Sequence, residues 1–297
     1  MTAIQHTSAI QRISVGRRLK DKVIQGLVYL SFAIAVVPLV SVLWLVISNG
    51  LARLDVEFLT HSMRNIGARD AGGGAYHAII GTLEQVLLSS IISIPIGLLT
   101  AIYLVEYGRG GRLSRAISFF VDVMTGIPSV VSGLFILAFW ILALGMPFSG
   151  FAGALALSIL MMPTVVRSAE EMLLLVPNDL REASYALGVP KWRTIVRVVL
   201  PTAFTGIVTG VMLAIARVAG ETAPLLLTVF FTDSINTDPF SGPQMGLPLY
   251  VFGQSARPTD AAIDRAWAGA LTLILIVMLL NLVARLIGWW RSPARGR

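Results

Sequence analysis

Long apolar blocks alternate with short polar segments along this chain. Six blocks, at roughly 23–48, 79–105, 116–144, 151–174, 202–231 and 266–290, each reach the ~20 residues needed to cross bilayer hydrocarbon. The pattern predicts an all-α polytopic membrane protein with six spans. It divides the chain into a tail at 1–22, a first span with its loop at 23–78, a core at 79–290, and a short tail at 291–297. The first block is too long for the apolar region of a signal peptide, which runs about 7–15 residues, so it reads as a span.

Composition agrees with that pattern. The chain is 56% hydrophobic and 13% charged, with a mean hydropathy of +0.79. A soluble domain carries about 25% charged residues. The net charge is +7, but the basic residues sit between apolar blocks, which argues for topology rather than nucleic acid. With the N-terminus inside, seventeen of them fall on inside segments and five outside, with Arg217 left within a span. Positive charge gathers on the cytoplasmic side, so both termini are expected there, with Trp289 and Trp290 in the inner aromatic belt.

The absence of cysteine excludes disulfides, thiol catalysis and cysteine-ligated metal. His6, His61 and His77 stand apart from one another and from carboxylates at ligand spacing, so no metal site is expected. No catalytic cluster is evident, and no G-x-x-x-x-G-K-[ST] pattern exists. Gly72-Gly73-Gly74 therefore reads as a flexible linker rather than a phosphate cradle. The 232–265 segment, rich in Asp and Pro, is long enough to be functional or partly folded on itself, as an outer cap or partner contact.

Five prolines, Pro38, Pro95, Pro128, Pro163 and Pro224, fall within spans. Each reads first as a packing kink. Gly126-Ile127-Pro128 and Ala223-Pro224 also admit breaks beside a transport path, where a cavity satisfies the freed backbone.

The polar segment 175–201 carries the most information. Asp179 and Glu182 have capping-box spacing. Gly188 offers a left-handed stop and Pro190 prevents continuation, giving a helix of about nine residues on the cytoplasmic side. Pro190 then suits the start of a second helix. There Trp192, Ile195, Val196 and Val199 form an apolar stripe, as in a helix lying along the membrane. The first helix is too short to be stable alone and needs a docking surface.

Glu182-Ala183-Ser184, Gly188 after three further residues, and Val198-Val199-Leu200-Pro201 after nine more resemble the E-A-A…G…I-x-L-P loop of ABC importer permeases. Ser184 and Val198 are mild departures. Arg167-Ser168-Ala169-Glu170-Glu171-Met172, Leu180-Arg181-Glu182 and the run Arg217-Val218-Ala219-Gly220-Glu221-Thr222-Ala223-Pro224-Leu225-Leu226 are similar to PstA-type permeases of phosphate importers, over about residues 75 to 290. The resemblance implies a type I ABC importer permease fold and a translocation subunit in the inner membrane rather than an enzyme. It implies that Glu182, Ala183, Gly188, Leu200 and Pro201 belong to the loop that couples to a cytoplasmic ATPase. The implied partners are a second, PstC-like permease, a PstB-like ATPase dimer that binds ATP and Mg, and a PstS-like periplasmic or lipid-anchored phosphate-binding protein. No nucleic acid and no cofactor of this chain's own are implied.

Arg217 lies about halfway along the fifth block, where an arginine costs about 2.5–3.5 kcal/mol unless it faces a bundle interior or a cavity. Glu221 follows one helical turn later. The two either form a self-neutralising packing pair, or Arg217 receives an anion while Glu221 orients it. The resemblance favours the second and extends a pathway role to Arg167, which by position alone reads as a snorkelling interfacial arginine. Asp122 and Glu84 read as solvated or capping. The expected substrate is phosphate, with sulfate or molybdate as the alternative. A membrane-embedded enzyme or a channel lacks, respectively, a cluster of catalytic groups and a need for the 175–201 pattern.

Overall fold

The computed structural model describes residues 15–108 and 110–291. His6, Arg12, Arg109 and most of both expected tails lie outside them, as do the side chains of Trp289 and Trp290. Among the described residues every regular element is helical. Two compact units separate at Ser48. The first is occupied by α1, Val15–Gly50, whose apolar side chains are exposed along most of its length. Pro38 lies inside α1 without interrupting it.

The second unit holds short α2 (Val56–Thr60) and α3 (Tyr76–Ile102), which runs on through a π turn, Tyr103–Tyr107. Next come α4 (Arg112–Thr125), α5 (Ser129–Ile136) with a π turn Leu137–Ala143, and α6 (Gly150–Leu174). Then follow α7 (Asn178–Ala186), α8 (Lys191–Thr194), a π turn Ile195–Val199, and α9 (Leu200–Ala219). The last three are α10 (Ala223–Thr228), α11 (Leu247–Ser255) and α12 (Asp260–Arg291).

Helix α6 is the hub. It packs against α3 and α9 most extensively, and against α4, α5 and α10. Its most apolar stretch is 67% buried within this one chain, against 22–33% for the spans of α3, α9 and α12. Lipid supplies no hydrophobic drive between helices, so close backbone approach must hold them together, and small residues permit it. A Cβ on Gly97 of α3 would stand 2.8 Å from Val165 Cγ1 of α6, and one on Gly210 of α9 would stand 2.4 Å from Ser168 Oγ. Gly81 of α3 is tighter still, since its Cβ would lie 2.1 Å from the Met245 carbonyl oxygen. Backbone cannot yield as a side-chain tip does. Gly81→Ala is therefore expected to destabilise by about 1–3 kcal/mol, read as a lower thermal midpoint in detergent. An unchanged midpoint would mean that the 229–246 segment shifts freely.

Two predicted spans are not single rods. The 116–144 block is the pair α4 and α5, bent by 104° at Gly126-Ile127-Pro128. Pro128 removes a donor and disfavours helix in Ile127 before it. The 202–231 block begins eleven residues earlier and ends twelve earlier than predicted, because Lys191–Ala219 is one helical run. The expected interfacial helix at 191–199 is thus the start of this span. Pro201 fails to stop it because the wider π turn Ile195–Val199 precedes it, relieving the clash with the carbonyl four residues back. Pro95 and Pro163 lie inside continuous helices, whereas Pro128 and Pro224 flank breaks.

The 49–75 segment is not a loose linker. Arg53 donates to the Gly73 carbonyl at 2.8 Å, and the Gly73 amide donates to Glu57 at 3.0 Å. Gly73 has φ +81°, and a Cβ on Gly74 would stand 2.3 Å from the Phe58 carbonyl oxygen. The triple glycine answers close packing. Arg265, read from the sequence as a loop charge, is fully buried and donates to the carbonyls of Ala68, Asp70 and Gly72. The 232–265 segment is partly folded, containing α11 and the start of α12.

Candidate functional site

Arg217 occupies the last turn of α9, just before the chain breaks at Gly220. It is not mid-helix as the span prediction placed it. A cation there meets the negative end of the helix dipole, which offsets part of its cost. Val218 and Ala219 beside it are buried, while the Arg217 side chain is 49% exposed. The guanidinium therefore points away from this chain's core. Its Nε stands 4.0 Å from Glu221 Oε1, the outer limit of an ion pair, and Glu221 is mostly buried. Among the described residues the guanidinium makes no hydrogen bond, so its five N–H groups remain available.

The face that carries Arg217 continues down α9 through Leu213, Thr209 and Thr205, all exposed at a spacing of four. The Thr209 hydroxyl donates to the Thr205 carbonyl at 2.8 Å, which lets a polar side chain sit on a span without an unpaired donor. This stripe escaped sequence reading. The four-residue recurrence of threonine was visible, but nothing in it says which side of a helix lacks a neighbour. Beyond the break, Pro224 of α10 lies against Gly133 of α5, where a Cβ would come within 2.7 Å of Pro224 Cα. The two interrupted spans therefore meet each other.

Arg167 is a bridge rather than a snorkelling side chain. It donates to Glu170 at 2.6 Å, to Asp122 at 2.5 Å and to the Ser118 carbonyl at 3.0 Å, holding α4 against α6. Asp122 is exposed, yet it is also a partner in this bridge. Arg167 and Arg217 belong to separate clusters. Glu84 accepts from Gln244 Nε2, and Gln85 Nε2 donates to the Gln244 carbonyl at 3.0 Å, so Glu84 helps hold the 229–246 segment.

In the 175–201 segment α7 covers 178–186, with Pro177 at its N-cap and no side-chain cap bond. The Asp179–Glu182 capping box does not form. Proline fixes the dihedral needed to enter the helix, and Glu182 is exposed. Gly188 ends the turn at φ +75°, with open space where a Cβ would go. Helix α7 has two unlike faces. Leu180, Ala183 and Leu187 are exposed, Leu187 by 83%. Beside that face, one turn after Leu180, Ser184 is buried and bonds to the buried Thr194 hydroxyl at 2.8 Å. Leu200 is half-buried and Pro201 exposed, in the first turn of α9.

Arg181 and Glu106, which sequence reading did not connect, form an enclosed ion pair here. Arg181 donates to Glu106 Oε1 at 2.9 Å, and also to the carbonyls of Val176 at 2.7 Å and Leu173 at 2.9 Å. The Glu106 side chain is only 4% exposed. Lys191 donates to the Glu106 carbonyl, and its ammonium lies 4.8 Å from the Tyr107 ring centre. These groups are 75 or more residues apart in sequence, which is why no local pattern announced them. Among the described residues no three His, Asp or Glu side chains gather as a metal site would need.

Residues 93–293 match the family described as binding-protein-dependent transport system inner membrane component. The chain is 50% identical to phosphate transport system permease protein PstA 1 of Mycobacterium tuberculosis, over 93% of this chain and 90% of that one. It is 40% identical to phosphate transport system permease protein PstA of Pasteurella multocida, over 91% of this chain and 95% of that one. The fold is similar to the inward-facing MetNI methionine ABC transporter, with a TM-score of 0.58 at 20% identity over 74% of this chain and 95% of that one. It is also similar to a bacterial ABC transporter involved in import of the polysaccharide alginate, with a TM-score of 0.62 at 16% identity over 93% of this chain and all of that one. The architecture is that of type I ABC importer permeases.

Proposed function

Because the chain belongs to the binding-protein-dependent transport system inner membrane components and, within them, to the PstA-type permeases, we propose that it is a membrane-spanning permease subunit of an ATP-driven importer of inorganic phosphate. The observation that carries this is 50% identity to a phosphate permease along almost the whole chain. The chain is a transport subunit and not an enzyme. ATP and Mg are bound by a partner ATPase dimer, a second homologous permease completes the channel, and a phosphate-binding protein delivers substrate from outside.

The exposed guanidinium supports this reading. A charge facing acyl chains is expensive, whereas one facing a cavity or a partner chain is not. The α9 face bearing Arg217 and the threonines therefore lines the route at the junction with the second permease. Guanidinium suits phosphate because its fork gives two parallel charge-assisted hydrogen bonds. Glu221, at 4.0 Å, limits the hold, and a route must release what it binds. Helix α7 faces the cytoplasm and offers Leu180, Ala183 and Leu187 to the ATPase. Closure of the ATPase dimer on ATP moves α7, and the spans switch the Arg217 site between the two sides. In this orientation both termini are cytoplasmic.

The test is uptake of radiolabelled phosphate by the reconstituted four-component complex. ATP-dependent uptake that excess sulfate and molybdate do not displace is expected. Uptake of either competitor in place of phosphate would transfer the role to another oxyanion.

A further inference from the structure

We propose that Arg181 and Glu106 form a positioning strut that makes α7 and the Glu106 end of α3 move as one body. The inference rests on the proposed docking of α7 to an ATPase. It adds where the motion is delivered, which is to α3, the span packed most extensively on the hub α6.

Three observations converge. The first is the poverty of apolar anchorage. Helix α7 buries only Ser184 fully and leaves Leu180, Ala183 and Leu187 outward. Its orientation is thus set by polar links. The second is the geometry of those links. Arg181 reaches Glu106 on α3's π turn and, with the same guanidinium, the carbonyl of Leu173 in the last turn of α6 and that of Val176 just beyond it. Lys191, beyond the Gly188 turn, returns to the Glu106 carbonyl. The α7 limb and the α9 limb are therefore both fastened to one residue. The third is burial. A carboxylate as enclosed as Glu106 is tolerated only with its partner in place, so the pair holds one register and resists partial separation. A π turn at such a point is a common mark of a functional position, because it sets the following side chains off the regular helical face. A docked motor pushing on the outward face of α7 then displaces α3 directly through the Arg181–Glu106 contact, as well as along the chain.

The chain contains no cysteine, so a pair introduced at these two positions reports cleanly. In the reconstituted complex, Glu106→Cys with Arg181→Cys under reducing conditions is expected to keep ATP hydrolysis while phosphate taken up per ATP falls about tenfold. A short bis-maleimide cross-linker, which adds one cysteine thiol across each of its double bonds without any redox step, is expected to restore the ratio. A reduced variant with the wild-type ratio, or an assembled complex that stays uncoupled after cross-linking, would overturn the strut. Glu106→Gln covers the case in which the double variant fails to assemble. It leaves Arg181 on the carbonyls of Leu173 and Val176 and removes only the charge at the α3 end. A several-fold fall in uptake per ATP supports the proposal, and an unchanged ratio refutes it. Failure of the wild-type complex to transport phosphate at all would instead remove the functional reading beneath it.

Discussion

Arg217→Ala is expected to cut phosphate uptake by about ten- to a hundredfold while the complex still assembles. The magnitude follows from losing hydrogen bonds to a charged group, worth about 1.5–3 kcal/mol. Assembly should survive because the guanidinium is half exposed, makes no hydrogen bond among the described residues and touches Glu221 only at 4.0 Å. Arg217→Lys separates charge from shape. It keeps the positive end of the route but loses the paired donors, so its uptake should fall between alanine and wild type. Uptake measured at several phosphate concentrations, with copurification of the partners as the assembly control, checks both. Wild-type kinetics in the alanine variant would remove Arg217 from the route and leave the pair as a packing device.

Gly188→Val should uncouple the transporter. Gly188 sits at φ +75° with nothing near a would-be Cβ, so the penalty is purely one of backbone conformation. For an L-residue that is about 1–2 kcal/mol, a factor of 5–30, and a branched side chain lies at the upper end. The chain escapes by re-routing the turn, which carries Leu187 off the face it shares with Leu180 and Ala183. ATP hydrolysis should continue while uptake per ATP drops about tenfold. Gly188→Asn is the control, since asparagine tolerates the left-handed region. It should retain most coupling. Equal loss in both variants would mean that the position needs a small residue for contact with a partner, not a particular dihedral.

The apolar blocks, the α7 helix and its glycine stop were legible because each is encoded within twenty or so neighbouring residues. Hydropathy located the spans but not their integrity. Gly126-Ile127-Pro128 bends its span by 104° whereas Pro163 bends α6 too little to interrupt it. A proline is visible in a single sequence, but whether its helix runs on through it is not. Arg217 and Glu221 were legible as an unusual pair in an apolar block, yet their place at the end of α9 was not, because the apolar block runs on past Gly220, where the helix ends. Arg181 was a charge among charges until folding brought Glu106 to it. The same holds for Arg265, counted as a loop cation and found enclosed among carbonyls. Long-range polar partnerships leave no periodic trace, so their absence from the sequence reading has a physical cause.

The unbroken run from Lys191 to Ala219 has a mechanical consequence. At 1.5 Å per residue, Arg217 rides about 39 Å from the Lys191 end. If the run pivots at that end, a swing of only about ten degrees sweeps the guanidinium through an arc of about 7 Å, more than twice the ~3 Å reach of a hydrogen bond. A small input angle therefore suffices to carry the guanidinium, the proposed anion ligand, out of range. Stiffness of the lever, more than the size of the stroke, then governs whether cargo is let go.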